Sequence, residues 1–253
     1  MPRLSLRFYQ ELNDFLSQPL RGRRFDHAVA GRASVKDVVE ALGVPHTEVD
    51  LILVNGDSVD FGYQVRDGDD ISVYPIFETL DVGPLVRLRP RPLREPRFIA
   101  DVHLGRLAAY LRLFGFDCLF EPAWGDAQLA AAAAEEGRTL LTRDRGLLKR
   151  RIVTRGYCPR DSHPRRQLVE VLRRFELIGL ARPFTRCMRC NGSLAPAADE
   201  DVRRQVPAAV AASNPEFSSC TGCGRVYWKG SHYDRMLALV EHVRRFLSNE
   251  EGS

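Results

Sequence analysis

Four of the six cysteines occur as two Cys-x-x-Cys pairs, and this pattern constrains the fold more than any other feature of the chain. The first pair is Cys187 and Cys190, the second is Cys220 and Cys223, and Gly222 gives the second turn backbone freedom. A two-residue gap lets both thiolates of a pair point at one tetrahedral ion, so two pairs supply the four ligands of a zinc. A site with four cysteine ligands has no open position, and we therefore expect a structural zinc. The alternative is a redox pair or free thiols.

The remaining cysteines and the spacing of the pairs add further expectations. The 29 residues between Cys190 and Cys220 exceed the usual ribbon spacing, so a loop is expected to protrude. We interpret His232 as a surface or nucleic-acid contact, and Cys118 and Cys158 as ordinary thiols. Cysteines that are spaced as metal ligands, and not as disulfides, indicate a reducing compartment. No apolar run is long enough to span a bilayer. The sequence thus predicts a cytoplasmic protein without a membrane partner.

Charge and proline content divide the chain into an acidic module followed by a basic one. Residues 1–80 carry 8 basic and 13 acidic side chains, whereas residues 81–253 carry 29 and 20. Residues 82–97 hold four prolines and five arginines, a composition that favours an extended linker. Arginine dominates the positive charge, and its planar fork suits contact with phosphate.

Hydrophobic periodicity in the first module predicts a small α+β roll. Alternating residues 4–8 indicate a strand, and residues 34–42 indicate a helix capped by Ser34. A buried strand at 51–54, the Asn55-Gly56 turn signal and a strand at 71–75 follow.

The stretches 54–56 and 65–75 of this module resemble the ubiquitin-like β-grasp fold of sulfur-carrier proteins. Those carriers act through a C-terminal Gly-Gly, but this chain has Phe77-Glu78-Thr79 at that place. We therefore expect a docking or regulatory role, with an unidentified protein partner, instead of sulfur transfer.

The second module alternates strands and helices, which predicts a parallel sheet with ligands beyond the carboxyl ends of its strands. Its first helix, residues 105–114, is expected to direct Arg106 and Arg112 outward. A fourth strand is predicted to begin at Ile152-Val153, after a short helix that starts at Gly146.

Three aspartates lie at the ends of these elements. Asp101 ends the first strand, Asp126 begins the second helix and Asp144 ends the third strand. Converging carboxylates repel one another unless a cation such as Mg²⁺ or Mn²⁺ relieves the repulsion, and such a metal activates water for attack on a phosphodiester. The alternative is structural: Asp126 caps its helix, and the other two pair with Arg106 and Arg143.

Several motifs in order resemble the Mut7-C RNase domain, a PIN-like nuclease domain. They are residues 98–117, the Thr142-Arg143-Asp144 motif at 140–145, Cys190-Asn191-Gly192, and residues 227–236 of the zinc-ribbon tail. Such chains look like the fused ubiquitin-like plus Mut7-C proteins of bacteria. The resemblance implies a metal-dependent ribonuclease site, carried onto Asp101, Asp126 and Asp144. Many PIN-like sites hold a fourth acidic group, for which Asp161 and Glu135 are weak candidates.

The complete prediction is an α/β chain in four segments. These are a β-grasp domain (1–84), a Pro/Arg-rich linker (85–96), a PIN-like nuclease domain (97–183), and a four-cysteine zinc ribbon with a C-terminal helix (184–253). The predicted RNA contacts are Arg106, Arg143, Arg145, Lys149, Arg150 and Trp228. For the cations the alternative is a solvated helix face, and for Tyr227 and Trp228 it is packing in the ribbon. The alternative to an RNA-cutting enzyme is a non-catalytic RNA-binding or adaptor protein.

Overall fold

The computed structural model describes residues 1–75 and 96–250, and the chain forms two compact units, each built from two stretches of sequence. The N-terminal unit contains Met1–Arg94 and Gly125–Cys158. The ribbon unit contains Glu95–Trp124 and Pro159–Ser253.

Two predictions fall outside this description. The linker expected at 85–96 is described only at residue 96, and the Phe77-Glu78-Thr79 stretch lies outside the described residues altogether. The three boundaries between the four predicted segments remain predictions.

The β-grasp module, residues 1–75, consists of a five-stranded sheet and one α-helix. Its elements are β1 (Arg3–Phe8), β2 (Phe25–Ala28), α1 (Val35–Ala41), β3 (Val49–Val54), β4 (Asp57–Ser58) and β5 (Asp70–Pro75). The strand order is β2-β1-β5-β3-β4, with a parallel β1/β5 pair and antiparallel pairs elsewhere. Strand side chains alternate between faces, so Leu4, Leu6 and Phe8 all lie in the core at 1% exposure or less.

Two local signals in this module take the predicted form. Ser34 accepts a hydrogen bond from the Asp37 amide, and Asp37 accepts one from the Ser34 amide, which closes a capping box at the start of α1. Asn55 and Gly56 have φ angles of 54° and 94°, as a type I′ turn between β3 and β4 requires.

The 125–158 segment, the second stretch of the N-terminal unit, adds two helices and a parallel pair of short strands. They are α3 (Asp126–Glu135), β8 (Thr139–Leu141), α4 (Arg145–Leu148) and β9 (Gly156–Tyr157). The strand predicted at Ile152-Val153 is wrong, because the Val153 amide instead bonds the Arg150 carbonyl in a turn after α4. At Gly156 a Cβ would lie 2.5 Å from Leu148 Cδ2, so only glycine lets β9 approach α4 this closely.

The ribbon unit begins with a second parallel pair joined by a helix. Its elements are β6 (Arg97–Ala100), α2 (Gly105–Leu113) and β7 (Asp117–Phe120), and α5 (Pro164–Arg174) packs against α2. Gly105 allows close packing of α2 on β7, since a Cβ there would lie 2.7 Å from the Phe120 ring.

The ribbon itself is a three-stranded antiparallel sheet followed by a long helix. Its elements are β10 (Leu194–Pro196), α6 (Asp199–Gln205), α7 (Ala208–Ser213), β11 (Phe217–Cys220), β12 (Val226–Trp228) and α8 (Ser231–Glu250). The insertion between the cysteine pairs, expected as a protruding loop, instead forms α6 and α7. Val202 and Val206 of this insertion are buried in a cluster with Val226 of β12, which gives the insertion an apolar core of its own.

These elements confirm the predicted α/β fold class, with an N-terminal sheet domain, parallel strand pairs and a cysteine-rich ribbon. Among residues 1–75 and 96–250, no helix has the length and apolar character needed to cross a membrane.

Candidate functional site

The four cysteine sulfurs form one tight cluster. All four lie within 4.8 Å of one another. Cys187 Sγ is 3.7 Å from Cys223 Sγ, and Cys190 Sγ is 3.3 Å from Cys220 Sγ. Zn–S bonds of about 2.3 Å in a tetrahedron place neighbouring sulfurs about 3.8 Å apart. The cysteines therefore fit the predicted structural zinc.

The two turns that carry the cysteines have the same backbone geometry. In the first turn, the Asn191 amide donates to the Cys187 carbonyl at 2.9 Å. In the second, the Gly224 amide donates to the Cys220 carbonyl, also at 2.9 Å. Asn191 and Gly224 occupy equivalent places with φ angles of 71° and 70°. Asparagine and glycine are the residues that adopt this left-handed conformation most readily, so the sequence fits both turns.

Polar hydrogens surround the sulfurs, as expected of thiolate ligands. The amides of Gly222 and Cys223 donate to Cys220 Sγ at 3.3 and 3.4 Å, and the Tyr227 hydroxyl lies 3.0 Å from Cys187 Sγ. Burial raises the pKa of Cys187, but hydrogen bonds from Tyr227 and from backbone amides outweigh it and lower the pKa to about 6. Tyr227, which was predicted to stack on bases or pack in the ribbon, thus contacts a metal-binding sulfur.

The first turn is fastened to the parallel strand pair by Arg112, a residue that was expected to point outward. That expectation is wrong: Arg112 is 4% exposed. Its Nε donates to the Cys118 carbonyl at 2.8 Å, and its Nη1 donates to the carbonyls of Met188 and Arg189 at 3.2 and 2.8 Å. Burial lowers the pKa of the Arg112 guanidinium. Two of the three acceptors are backbone carbonyls more than 70 residues away, so helical periodicity could not reveal them.

Asn191 provides a second fastening at the same place. Its Oδ1 accepts from the Cys118 amide at 3.1 Å, and its Nδ2 donates to Asp117 Oδ1 at 2.8 Å. The side chain is 8% exposed. One asparagine therefore both shapes the turn and joins it to β7.

Each of the three predicted aspartates has a local structural partner. Asp101 is buried, at 6% exposure, and its Oδ1 accepts from the Val102 amide at the end of β6. Asp144 caps α4, since its Oδ1 accepts from the amides of Gly146 at 2.7 Å and Leu147 at 3.2 Å. Asp126 lies 3.3 Å from Arg150 Nη2 in an exposed ion pair.

The helix cap expected at Asp126 is wrong, because Gly125 is the N-cap residue of α3 and Asp126 is the first residue inside the helix. Throughout the described ranges, the four cysteines are the one group of three or more potential metal ligands whose donor atoms lie within 4.8 Å. Asp126 and Asp144 belong to the N-terminal unit, and Asp101 belongs to the ribbon unit.

Comparison with protein families gives two matches along the chain. Residues 96–240 match the Mut7-C RNAse domain, and residues 1–81 match the Mut7-C ubiquitin domain. The chain belongs to the Mut7-C RNAse domain family. No curated protein and no solved structure matches it. The resemblance predicted from the sequence is confirmed in both parts, and the family assignment supports a ribonuclease in general terms.

Two of the cations predicted to bind RNA contact the ubiquitin-like part of this Mut7-C chain. Arg145 Nη1 donates to the Phe15 carbonyl at 3.3 Å, and its guanidinium carbon lies 4.9 Å from the centre of the Phe15 ring. Lys149 Nζ donates to the Glu40 carbonyl at 2.7 Å. Neither contact has a sequence signal, because the acceptors are backbone carbonyls more than a hundred residues away.

The other predicted RNA contacts of the Mut7-C chain lie at the surface. Arg106, Arg143 and Arg150 are exposed, and Trp228 is 36% exposed with its ring 6.5 Å from that of Phe217. Trp228 therefore packs on one neighbour while it keeps an accessible surface.

Proposed function

We propose that this Mut7-C family member is a ribonuclease that hydrolyses phosphodiester bonds in RNA. The observation that carries the proposal is the match of residues 96–240 to the Mut7-C RNAse domain. The matched range contains Asp101, Asp126 and Asp144, which we propose as the catalytic residues. Each of them lies next to the end of a strand or at the start of a helix, where a backbone fixes its position.

Mg²⁺ or Mn²⁺ is the cofactor that we propose for these carboxylates, because hard cations prefer oxygen ligands. When bound, such a cation neutralises phosphate charge and activates water. Both hydrogen bonds of Asp144 end on Oδ1, and the ion pair of Asp126 is exposed and weak. Both side chains therefore have oxygen atoms to offer.

The RNA contacts that we propose form two groups, which differ in whether the side chain already bonds a backbone carbonyl. Arg106, Arg143 and Arg150 remain as exposed phosphate contacts, and Trp228 as a surface on which an unpaired base stacks. Arg145 and Lys149 are the weaker members of the predicted set, since their donors already bond backbone carbonyls.

A second candidate function is an RNA-binding or adaptor protein without catalysis. The observation that favours it is that Asp101 and Asp144 already accept hydrogen bonds from neighbouring backbone amides, as structural carboxylates do. The ubiquitin-like module would then bind a protein partner, in line with the original prediction.

Asp144→Asn separates the two candidates, because asparagine still accepts the cap hydrogen bonds of α4 but loses the negative charge. Under the first candidate, cleavage of single-stranded RNA in Mg²⁺ or Mn²⁺ falls by at least about a hundredfold while RNA binding persists. Asp199→Asn, at the exposed first residue of α6, is the matched control and should cleave normally. Absence of cleavage by the pure wild type would favour the adaptor, whereas equal cleavage by both variants would overturn the assignment of Asp144 as catalytic.

A further inference from the structure

The β-grasp module and the 125–158 segment belong to one compact unit, and polar contacts join them. The module offers two backbone carbonyls, those of Phe15 and Glu40, to the cations of Arg145 and Lys149. Both cations belong to the α4 region, which Asp144 opens. The contact is thus made at the helix that carries a proposed catalytic carboxylate.

A buried turn of the module makes two more bonds to the same segment. His46 Nε2 bonds the Val153 carbonyl at 3.0 Å, while its Nδ1 lies 2.6 Å from Glu40 Oε1. Glu48 Oε1 accepts from the Cys158 amide at 2.7 Å. His46 is 7% exposed and Glu48 is fully buried. Buried polar groups that lose such partners are costly, so this docked arrangement is strongly specified.

Helix α4 cannot hold its own shape. It has four residues, from Arg145 to Leu148, and a helix this short does not form in isolation. The amides of Gly146 and Leu147 bond Asp144, so the direction of the carboxylate follows the direction of the turn. External contacts must therefore fix α4. The module supplies one of them at each end of the helix, through Arg145 at the start and Lys149 just after the end.

We propose that the β-grasp module is a positioning element of the nuclease, which holds the α4 turn and with it the Asp144 carboxylate. Lys149 and Glu48 are positioning residues in this arrangement. Lys149 bonds the Glu40 carbonyl at the end of α4, and Glu48 fixes the chain just after β9. The inference rests on the proposed function for its catalytic consequence, but the ordering of the turn can be measured without any activity.

The first test uses full-length chains with Lys149→Met and Glu48→Ala. Amide hydrogen exchange at Gly146 and Leu147 should become about tenfold faster, because the turn opens more often once its support is lost. Exchange in β1 and β5 of the same unit should stay unchanged, which separates local opening of the turn from unfolding of the N-terminal unit. Two control variants should exchange as the wild type does. Glu48→Gln keeps an acceptor oxygen for the Cys158 amide, and Lys36→Met removes a lysine of α1 that makes none of the contacts given above. Unchanged exchange in Lys149→Met and Glu48→Ala would overturn the proposal.

The second test measures RNA cleavage by the same variants. A positioning role lowers kcat about tenfold and leaves KM for RNA unchanged, with recovery in Glu48→Gln. A raised KM with unchanged kcat in Lys149→Met would mean that Lys149 binds RNA, and a raised kcat would mean that the module covers the site; each would overturn the proposal. If the wild type does not cleave RNA the proposed function fails, and if Asp144→Asn cleaves normally the catalytic role of Asp144 fails, while the exchange experiment still decides whether the module orders the turn.

Discussion

The two cysteine turns have the same backbone geometry but differ in how they are attached to the rest of the ribbon unit. The first turn, Cys187 to Gly192, is held by Arg112 and by the side chain of Asn191. The second turn, Cys220 to Arg225, has Gly224 at the place of Asn191, and a Cβ there would meet no atom within 4 Å. Turns of the same local geometry are thus attached differently: side-chain bonds join the first turn to α2 and β7, whereas Gly224 offers no side chain for such a bond in the second.

The largest expected effect comes from removing a ligand that belongs to the less anchored turn. Cys220→Ser removes one of the four sulfur ligands and should abolish zinc binding. The protein should also lose stability, because structural zinc contributes about 10 kcal/mol or more to the folding of small domains. Zinc content by mass spectrometry under native conditions and the melting temperature should both fall, and chelation of the wild type should reproduce the result. Cys158→Ser alters a buried cysteine outside the cluster and should keep its zinc. Full zinc occupancy in Cys220→Ser would refute the four-sulfur site.

The next effect tests the anchor. Arg112→Met keeps much of the volume but removes the donors to three carbonyls, so the free energy of unfolding should fall by about 3–5 kcal/mol. Denaturant unfolding followed by ellipticity measures this value. Arg106→Met on the same helix removes an exposed arginine and should cost less than about 0.5 kcal/mol. Similar losses for both variants would show that the buried bonds of Arg112 are not special.

The smallest effects come from exchanging the residues at the equivalent positions of the two turns. Asn191→Gly keeps the left-handed backbone but loses the bonds to Cys118 and Asp117, and should destabilise the protein by about 1–3 kcal/mol. Gly224→Asn introduces a side chain that tolerates this conformation into open space, and should cost only a few tenths of a kcal/mol. Thermal unfolding of the two variants compares them directly. Equal costs would mean that Asn191 acts only through its backbone.

Local patterns carried most of what could be predicted from the sequence. The cysteine spacing indicated the four-cysteine cluster, Ser34 capped α1 as expected, and Asn55-Gly56 formed its turn. The cap, the turn and each Cys-x-x-Cys pair depend on residues a few positions apart, whose chemistry is nearly independent of the remaining chain.

The predictions that failed depend on contacts between distant residues. Arg112 has a polar side chain on an amphipathic helix, and the carbonyls of Cys118, Met188 and Arg189 explain its burial. In the helical insertion, Val202 and Val206 are buried against Val226, which lies outside the insertion. The docking of Arg145 and Lys149 uses main-chain acceptors, which leave no mark on composition or spacing.

Two separate stretches of the chain form the N-terminal unit, which affects both its synthesis and its truncation. The β-grasp module leaves the ribosome early, yet the bond of Glu48 to the Cys158 amide and that of His46 to the Val153 carbonyl can form only after Cys158 and Val153 have been made. The first part of the ribbon unit is translated before the N-terminal unit can be completed. A cut between the two family matches, near residue 90, would not yield two natural halves. It would separate the module from the stretch that completes its unit.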